Sequence, residues 1–371
     1  MFTRGRLLIL TSSTGGGHDT RARTFQKWLT LKSKTSVLID SILEKSSGMY
    51  NLGVQTYNII QKKAPFMHKA YWWVVELFLL LEHYLFSFKN RRFEGLIDKF
   101  RPSTVLSVHD CTNRGFFEYA INKKVKCVTY CGEFSGNYGF SRLWVSSRAT
   151  NIIGRTLECI NYVRVVLGRG FSGRLKHCFN VFPPTYFYFK YRLNRYFILK
   201  LLGLHVGKFT ILLGSGAVGS NLHKKVLDYL KKIKGLQVIV VCGRNKNTYN
   251  HIRNTYSGKL DLHLDGFSKK IPLYLKVSHL VITRSGSNLS AEAVYWKCLV
   301  LVFNFNGIMP QERPTLNYLS SYSLGVTVSC VKSTVNLLGL FLNYPKYYFK
   351  LSGSVVTGGL TIKDLVIKHL K

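Results

Sequence analysis

The chain has 371 residues, of which 53 are Lys or Arg and 17 are Asp or Glu, giving a formal charge of +36 with 46% apolar and 14% aromatic residues. An apolar share of that size excludes a disordered basic tail, and the length suits two domains that each bury a core. The charge calls for an anionic partner: nucleic acid, an acidic lipid surface or a phosphorylated substrate.

The opening MFTRGRLLILTSSTGGG has only a four-residue apolar core, too short for a signal peptide or an anchor. Eight cysteines lie at 111, 127, 131, 159, 178, 242, 298 and 330, without zinc-ribbon spacing or the density of a disulfide scaffold. Several sit inside apolar runs and read as buried thiols in a reducing cytoplasm.

Short β-branched runs at 7–11, 36–39, 104–108, 125–130, 209–213, 238–241, 279–283 and 299–303 read as strands. Between them lie helix-period segments such as Leu222, Val226, Leu230 and Ile233. This is the rhythm of βαβ units on a parallel sheet, and it runs twice. The break falls at 181–191, VFPPTYFYFKY, where Pro183 and Pro184 are expected to interrupt any helix. The most apolar stretch, 70–86, carries Glu76, Glu82 and His83, so it is expected to dock on a core or a membrane surface rather than span a bilayer.

Four glycine-containing turns follow predicted strands and carry most of the chemistry. In TGGGHDT, Gly16 and Gly17 let the backbone approach a ligand and open a helix whose apolar face is Ala22, Phe25, Trp28 and Leu29. His18 then falls at the carboxyl edge of a strand, where open α/β sheets bind ligands. The second turn, GSGAVGSN, spaces Gly214, Gly216 and Gly219 like a dinucleotide loop but lacks the acidic residue that holds a ribose. The third is Cys242-Gly243-Arg244-Asn245. In the fourth, TRSGSNLSAEA, Arg284 and the backbone N–H groups of Ser285, Gly286 and Ser287 can face phosphates. Glu292 can accept both hydroxyls of a ribose, and a solvated surface glutamate is the competing reading.

Taken in order, LLILTSSTGGGH, LLGSGAVGSN, VVCGRN, DGF, TRSGSNLSAEA and MPQERPTLNYL resemble the diacylglycerol glycosyltransferases: the monogalactosyldiacylglycerol synthases and the processive diglucosyldiacylglycerol synthases, relatives of the N-acetylglucosaminyltransferase of peptidoglycan assembly. SVHD at 107–110 and NVFPP at 180–184 extend the likeness over nearly the whole chain. The resemblance implies an α/β protein of GT-B fold, two Rossmann-like domains with parallel sheets facing across a cleft. Residues 1–184 would bind acceptor and membrane, 185–350 would bind a UDP-sugar, and 351–371 would pack back on the first domain.

Carried over by position, Gly214, Gly216 and Gly219 would form the phosphate-side loop, Gly243 and Asn245 would line the nucleotide pocket, and Phe267 would meet the uracil through its backbone. Arg284 with Ser285, Gly286 and Ser287 would hold the diphosphate, Glu292 the ribose, and Gln311 with Glu312 the sugar hydroxyls. The chain departs from the family pattern at Leu289, at Lys297-Cys298-Leu299, at Pro310 and at Thr315.

The implied reaction is inverting transfer of a hexose from a UDP-sugar to a diacylglycerol-type hydroxyl at the cytoplasmic face of a membrane. His18 is the first candidate for the general base, with His109, Asp110 and Glu133 behind it. No cofactor and no metal is expected, since no D-x-D pair is present although Asp261 and Asp265 lie near each other. Lys62, Lys63, Trp72, Trp73, Arg91 and Arg92 interleave basic and aromatic residues, as does 186–200, the composition of an anionic-membrane contact. Alternatives are N-acetylglucosamine transfer to a polyprenyl-linked acceptor, an inactive GT-B membrane scaffold, and a nucleic-acid-binding protein, for which the charge is the sole argument and no motif is present.

Overall fold

The computed structural model describes residues 5–343, except 15, 34, 47, 64–66, 68, 76, 78–89, 215, 217–221, 285 and 305–307. Twelve strands among them form two six-stranded sheets, ordered β2-β1-β3-β4-β5-β6 and β12-β11-β10-β7-β8-β9, and every pairing is parallel. The chain divides into two compact units. One holds Met1–Pro184 with Met309–Pro314; the other holds Thr185–Ile308 and the described part of Thr315–Thr357. Gln311 and Glu312 therefore group with the N-terminal unit. The expected tail 351–371 lies outside the described residues.

The first sheet comprises β1 (Arg6–Leu10), β2 (Ser36–Asp40), β3 (Thr104–Ser107), β4 (Lys126–Cys131), β5 (Asn151–Gly154) and β6 (Leu175–His177). Its described helices are α1 (Gly17–Lys32), α2 (Ile42–Ser46), α3 (Gly48–Lys63), α4 (Arg91–Phe100), α5 (Phe116–Asn122) and α6 (Leu157–Leu167). Leu7, Leu8, Ile9 and Leu10 are all fully buried. Helices cover both faces of a parallel sheet, so its strands read as continuous apolar runs rather than alternating ones. Helix α1 buries the predicted face, Ala22, Phe25, Trp28 and Leu29, and its Trp28 indole N–H donates to the Phe182 carbonyl at 2.7 Å. Caps close the helix starts: the Asn90 side chain accepts from Phe93 N–H and Thr156 from Cys159 N–H.

The second sheet comprises β7 (Phe209–Gly214), β8 (Leu236–Val241), β9 (Leu262–Asp265), β10 (Leu280–Thr283), β11 (Leu299–Phe303) and β12 (Gly325–Val328). Helices α7 (Pro184–Arg192), α8 (Arg195–Leu201), α9 (Leu222–Leu230), α10 (Lys246–Tyr256), α11 (Ile271–Val277), α12 (Ser287–Tyr295), α13 (Arg313–Ser321) and α14 (Val331–Asn343) complete the described elements.

Two expectations are corrected. Pro184 begins a helix rather than breaking one, because a first-turn proline needs no N–H partner and its fixed φ suits the helix. Ile233 lies beyond α9, which ends at Leu230. Strands β5, β6, β9 and β12 have no counterpart among the predicted runs, being three or four residues long and poor in apolar residues.

In the second sheet β12 lies against β11 so closely that a Cβ on Gly325 would sit 2.8 Å from the Val300 carbonyl oxygen and 3.2 Å from Leu319 Cβ. Backbone cannot yield as a side-chain tip can, so Gly325→Ala is expected to cost about 1–3 kcal/mol. Urea denaturation checks this, and an unchanged midpoint would mean that β12 shifts freely.

Candidate functional site

In each sheet the strand order reverses beside the first strand of the unit. Chain connections diverge from β1 toward β2 on one side and β3 on the other, and from β7 toward β8 and β10. Loops leaving the carboxyl ends of such neighbours part and open a crevice. His18 and His109 follow β1 and β3 at the first of these places, and at the second Gly214 ends β7 and Ser287 follows β10.

In the N-terminal unit the loop after β1 is pinned from several sides. The Ser12 and Ser13 hydroxyls donate to the Glu44 carboxylate at 3.0 and 2.6 Å, and Thr11 Oγ1 donates to Asp19 at 3.2 Å. Gly16 caps α1 with φ 81°, a left-handed conformation that glycine adopts without strain. The turn delivers His18 onto the loop after β3, where its Nδ1 meets the Val108 carbonyl at 2.7 Å. That bond places the proton on Nδ1 and leaves Nε2 with a lone pair.

His109 lies alongside, its ring centroid 4.3 Å from that of His18. Its Nδ1 is 2.9 Å from Asp110 Oδ1 and its Nε2 is 3.0 Å from Thr14 Oγ1. Asp110 thus sits at one end of a carboxylate–imidazole–hydroxyl chain. Trp144 stacks on the far side of His18 at 6.1 Å. Burial, then the neighbouring His109, then Arg21 hold the His18 imidazole well below its ordinary pKa, so it stays neutral and able to accept a proton. Asp110 is held well below the ordinary carboxylate range because the attraction and hydrogen bond of His109 outweigh its own burial.

Behind these residues lie two buried cations that the sequence reading missed, Arg21 and Arg155. Arg21 stands on the apolar face of α1, three positions after His18, and a cation on that face was the available signal. Arg155 follows the unrecognised strand β5, and its guanidinium lies 4.8 Å from the Phe134 ring centroid. Gly132 makes room for Arg21, since a Cβ there would collide with the guanidinium. Burial and the neighbouring Arg155 push Arg21 down to about 10. Glu133 is pushed up to about 7 by burial, against the pull of both arginines. His18, His109, Asp110 and Glu133, the four base candidates, are thus electrostatically linked within one unit.

His109, Asp110 and Cys111 also bring an imidazole, a carboxylate and a thiol within 4.8 Å of one another. The imidazole Nδ1 and the carboxylate oxygen are spent on each other, and Asp110 accepts from Cys111 N–H at 3.0 Å. Asp261 is paired with Lys208, and Asp265 accepts from Tyr274 at 2.6 Å and from Gly266 N–H at 2.8 Å.

In the C-terminal unit three of the four predicted turns follow β7, β8 and β10, and the DGF motif follows β9. Gly214 closes β7, and a Cβ there would sit 3.3 Å from Leu289 Cδ2, so the family-atypical Leu289 occupies the space above this glycine. Gly216 and Gly243 have φ of 83° and 60°. Asn245 caps α10 by accepting from Thr248 N–H at 3.0 Å, which orients the end of β8. Arg244 lies over the exposed Phe267 ring at 4.9 Å, linking the turns after β8 and β9. After β10, Gly286 caps α12 without a side-chain bond, and Ser287 is the first residue of that helix. Half-buried Glu292 accepts the hydroxyl of Tyr186, a partner from α7 that the sequence reading did not foresee.

Gln311 and Glu312 lie in the short helical turn Pro310–Glu312. Glu312 accepts from Met309 N–H at 3.3 Å, and Gln311 Nε2 donates to Tyr57 Oη at 3.3 Å within the N-terminal unit. Gly219 and Ser285 lie outside the described residues, as do the side chains of Lys62 and Lys63 and residues 78–86 of the apolar stretch. Trp73 is exposed and its ring lies 5.0 Å from Trp72. Exposed Arg91 begins α4, while Arg92 pairs with Asp40 at 3.1 Å. Of the eight cysteines, all free, only Cys111 and Cys330 are not buried. Among the described residues no helix is long and apolar enough to cross a membrane.

Glu133 makes the buried charge cluster testable. Below about pH 4 the folded and unfolded chains both hold its proton. Between about pH 4.5 and 7 the unfolded chain releases it while the folded chain does not, so stability falls as pH rises through that window. In Glu133→Gln this loss disappears, and the variant should gain up to roughly 3 kcal/mol on the wild type between those limits. Denaturation from pH 4.5 to 8 measures the difference; parallel curves would remove the buried carboxyl from the cluster.

Residues 210–307 match the glycosyltransferase family 28 C-terminal domain. The chain is 24% identical over 131 residues to a processive diacylglycerol beta-glucosyltransferase of Staphylococcus carnosus, a match covering 35% of this chain and 33% of that protein. It thus spans about a third of the length of that relative. Among solved structures it is similar to a UDP-GlcNAc 2-epimerase of Neisseria meningitidis bound to UDP-GlcNAc, at TM-score 0.58 and 15% identity over 95% of both chains. It is also similar to MurG of Acinetobacter baumannii, at TM-score 0.57 and 12% identity over 99% of both. The two parallel sheets are those of the GT-B fold, and residues 210–307 within the C-terminal unit match the family 28 C-terminal domain.

Proposed function

We propose that the protein transfers a hexose from a UDP-sugar to the hydroxyl of a diacylglycerol-type lipid, inverting the anomeric centre, on the cytoplasmic face of an anionic membrane. The observation that carries this reading is that three glycine turns follow the adjacent parallel strands β10, β7 and β8, inside the stretch that matches the family 28 C-terminal domain. A neighbour of the same fold holding UDP-GlcNAc supports a nucleotide-sugar donor.

In this reaction the lipid oxygen attacks the anomeric carbon, the bond from that carbon to the UDP oxygen breaks, and UDP departs with the electron pair. The hydroxyl proton passes to Nε2 of His18, whose Nδ1 is already committed to Val108. The nearby Asp110 carboxylate partly offsets the positive charge that His18 gains on taking the proton. Gly286, Ser287 and Arg284 stabilise the leaving diphosphate through backbone amides, the α12 dipole and one guanidinium, without a metal. Glu292, held by Tyr186, accepts the ribose hydroxyls. Lys62, Lys63, Trp72, Trp73, Arg91 and Arg92 dock the N-terminal unit on acidic lipid.

The test is incubation with radiolabelled UDP-glucose, UDP-galactose and UDP-GlcNAc over diacylglycerol-containing vesicles, followed by lipid extraction. A labelled glycolipid is expected. Label recovered only as an epimerised nucleotide sugar, or a product only on a polyprenyl-linked acceptor, overturns the lipid assignment.

Glu292→Ala is expected to weaken UDP binding by about 1.5–3 kcal/mol, the range for hydrogen bonds to a charged group. Calorimetric titration with UDP measures it, and unchanged affinity in a folded variant removes Glu292 from the donor site. For His18→Ala, turnover should fall roughly 10²–10⁴-fold with little change in donor affinity. A loss below about tenfold moves the base to His109, Asp110 or Glu133. A chelator should leave turnover intact; abolition by EDTA with rescue by a divalent cation would place an ion at His109, Asp110 and Cys111 instead.

A further inference from the structure

Helix α8 is amphipathic in an inverted sense. Ile198, Leu199 and Leu202 are buried, and the helix packs against α11. At 100° per residue the opposite face comprises Tyr196, Phe197, Lys200 and Leu201. An outward face in water is ordinarily polar, yet Tyr196 is 59%, Phe197 54% and Leu201 64% exposed. Val206, in the turn that leads to β7, is 57% exposed.

The helix is held rigidly. Asn194 accepts from Tyr196 N–H at 2.9 Å, and the Arg195 guanidinium donates to the Val277 carbonyl at 2.7 Å and contacts His279 Nε2 at 3.1 Å. Its apolar outer face is therefore a fixed feature of the unit rather than the fraying of a loose end.

The surrounding sequence carries one sign of charge. From Cys159 to Leu227 the chain contains no Asp or Glu, while Lys190, Arg192, Arg195, Lys200 and Lys208 all fall near the helix in sequence. Asp261 pairs with Lys208 and lies 3.8 Å from His205 beside this region, yet cations outnumber carboxylates around the exposed aromatic and aliphatic side chains, and that balance complements an anionic lipid surface. Aromatic rings partition to the headgroup level, and lysines gain from acidic lipid. Nucleic acid would satisfy the cations and the rings, but Leu201 and Val206 gain nothing from base stacking, whereas hydrocarbon rewards their burial.

We infer that the outer face of α8, with Val206, is a second membrane-contact surface, carried by the C-terminal unit and separate from the basic-aromatic segments of the N-terminal unit. It inserts Phe197 and Leu201 among acyl chains while Tyr196 and Lys200 meet the headgroups. The inference rests on the membrane reading proposed above and adds to it a location on the nucleotide-binding unit.

The experiment uses the full chain, sedimented with phosphatidylcholine vesicles containing phosphatidylglycerol, in wild type and in a Tyr196→Ser/Phe197→Ser/Leu201→Ser variant. The substituted side chains are exposed, so the variant should fold; an unchanged thermal midpoint and UDP affinity check that. The variant is expected to bind at least about tenfold more weakly, since three large apolar side chains lose lipid burial. In the wild type, hydrogen exchange at 196–202 should slow on vesicles. As a second probe that leaves packing alone, Lys200→Glu should weaken binding at low salt and much less at high salt.

Wild-type binding that equals binding in both variants, without protection of 196–202, overturns the α8 surface and leaves membrane contact with the N-terminal unit alone. No wild-type binding to any vesicle overturns the membrane reading itself, and the α8 surface with it. Vesicle binding unchanged while duplex DNA binding falls would make this face a nucleic-acid surface and overturn the inference as well.

Discussion

A parallel sheet sends all its strands the same way, and each must be followed by a right-handed crossover, so all loops leaving the carboxyl ends gather along one edge. Where the chain leaves its first strand in both directions, those loops part instead of covering one another. Everything chemical in this protein depends on that constraint. His18 follows β1 and His109 follows β3, adjacent strands on either side of the first reversal. Gly214 ends β7 and Ser287 opens the helix after β10, adjacent strands at the second. Residues some 70–90 positions apart in sequence become neighbours because the strands before them are hydrogen-bonded.

The N-terminal cluster then has an electrostatic problem that its hydrogen bonds resolve. Two imidazoles with centroids 4.3 Å apart cannot both be protonated cheaply. Asp110 is 2.9 Å from His109, whereas His18 faces a neutral carbonyl and, further back, the Arg21 guanidinium. Burial and these neighbours therefore keep His18 neutral. Arg21 and Arg155 favour the ionised form of Glu133, but its own burial outweighs them and pushes it up to about 7. Burial is the largest influence on both Arg21 and Glu133, which is why these two depart from their ordinary values.

Much of this was legible in the sequence because the signals were local. Eight strands announce themselves as apolar runs, and all eight form, shifted by a residue or two at their ends. Glycine turns after strands locate both crevices. The strands that escaped reading, such as Asn151–Gly154 and Leu175–His177, contribute so few apolar residues that sheet position, not composition, makes them strands. What stayed illegible in the site is non-local for the same reason. Arg155 follows a strand that was not recognised, and Tyr186 reaches Glu292 from a helix that its two prolines were expected to forbid. A proline pair marks a boundary, but whether it ends an element or begins one depends on which side the helical residues lie.

The charge balance gives the two halves of this picture a common cause. Against 53 basic residues the chain has only 17 acidic ones, and those within the described structure are heavily used inside it. Asp40 ties Lys45 and Arg92, Glu44 pins the loop before His18, Asp110 holds His109, Asp265 ties Tyr274, and Glu292 meets Tyr186. Carboxylates committed to positioning loops and imidazoles leave few to neutralise the surface, so the excess of lysine and arginine stands outside. Such an excess destabilises a compact chain through self-repulsion, and an anionic surface relieves it. Under the membrane reading proposed above, acidic lipid would relieve that repulsion, and the outward apolar residues of α8 and the exposed Trp73 would find there an environment that water does not provide.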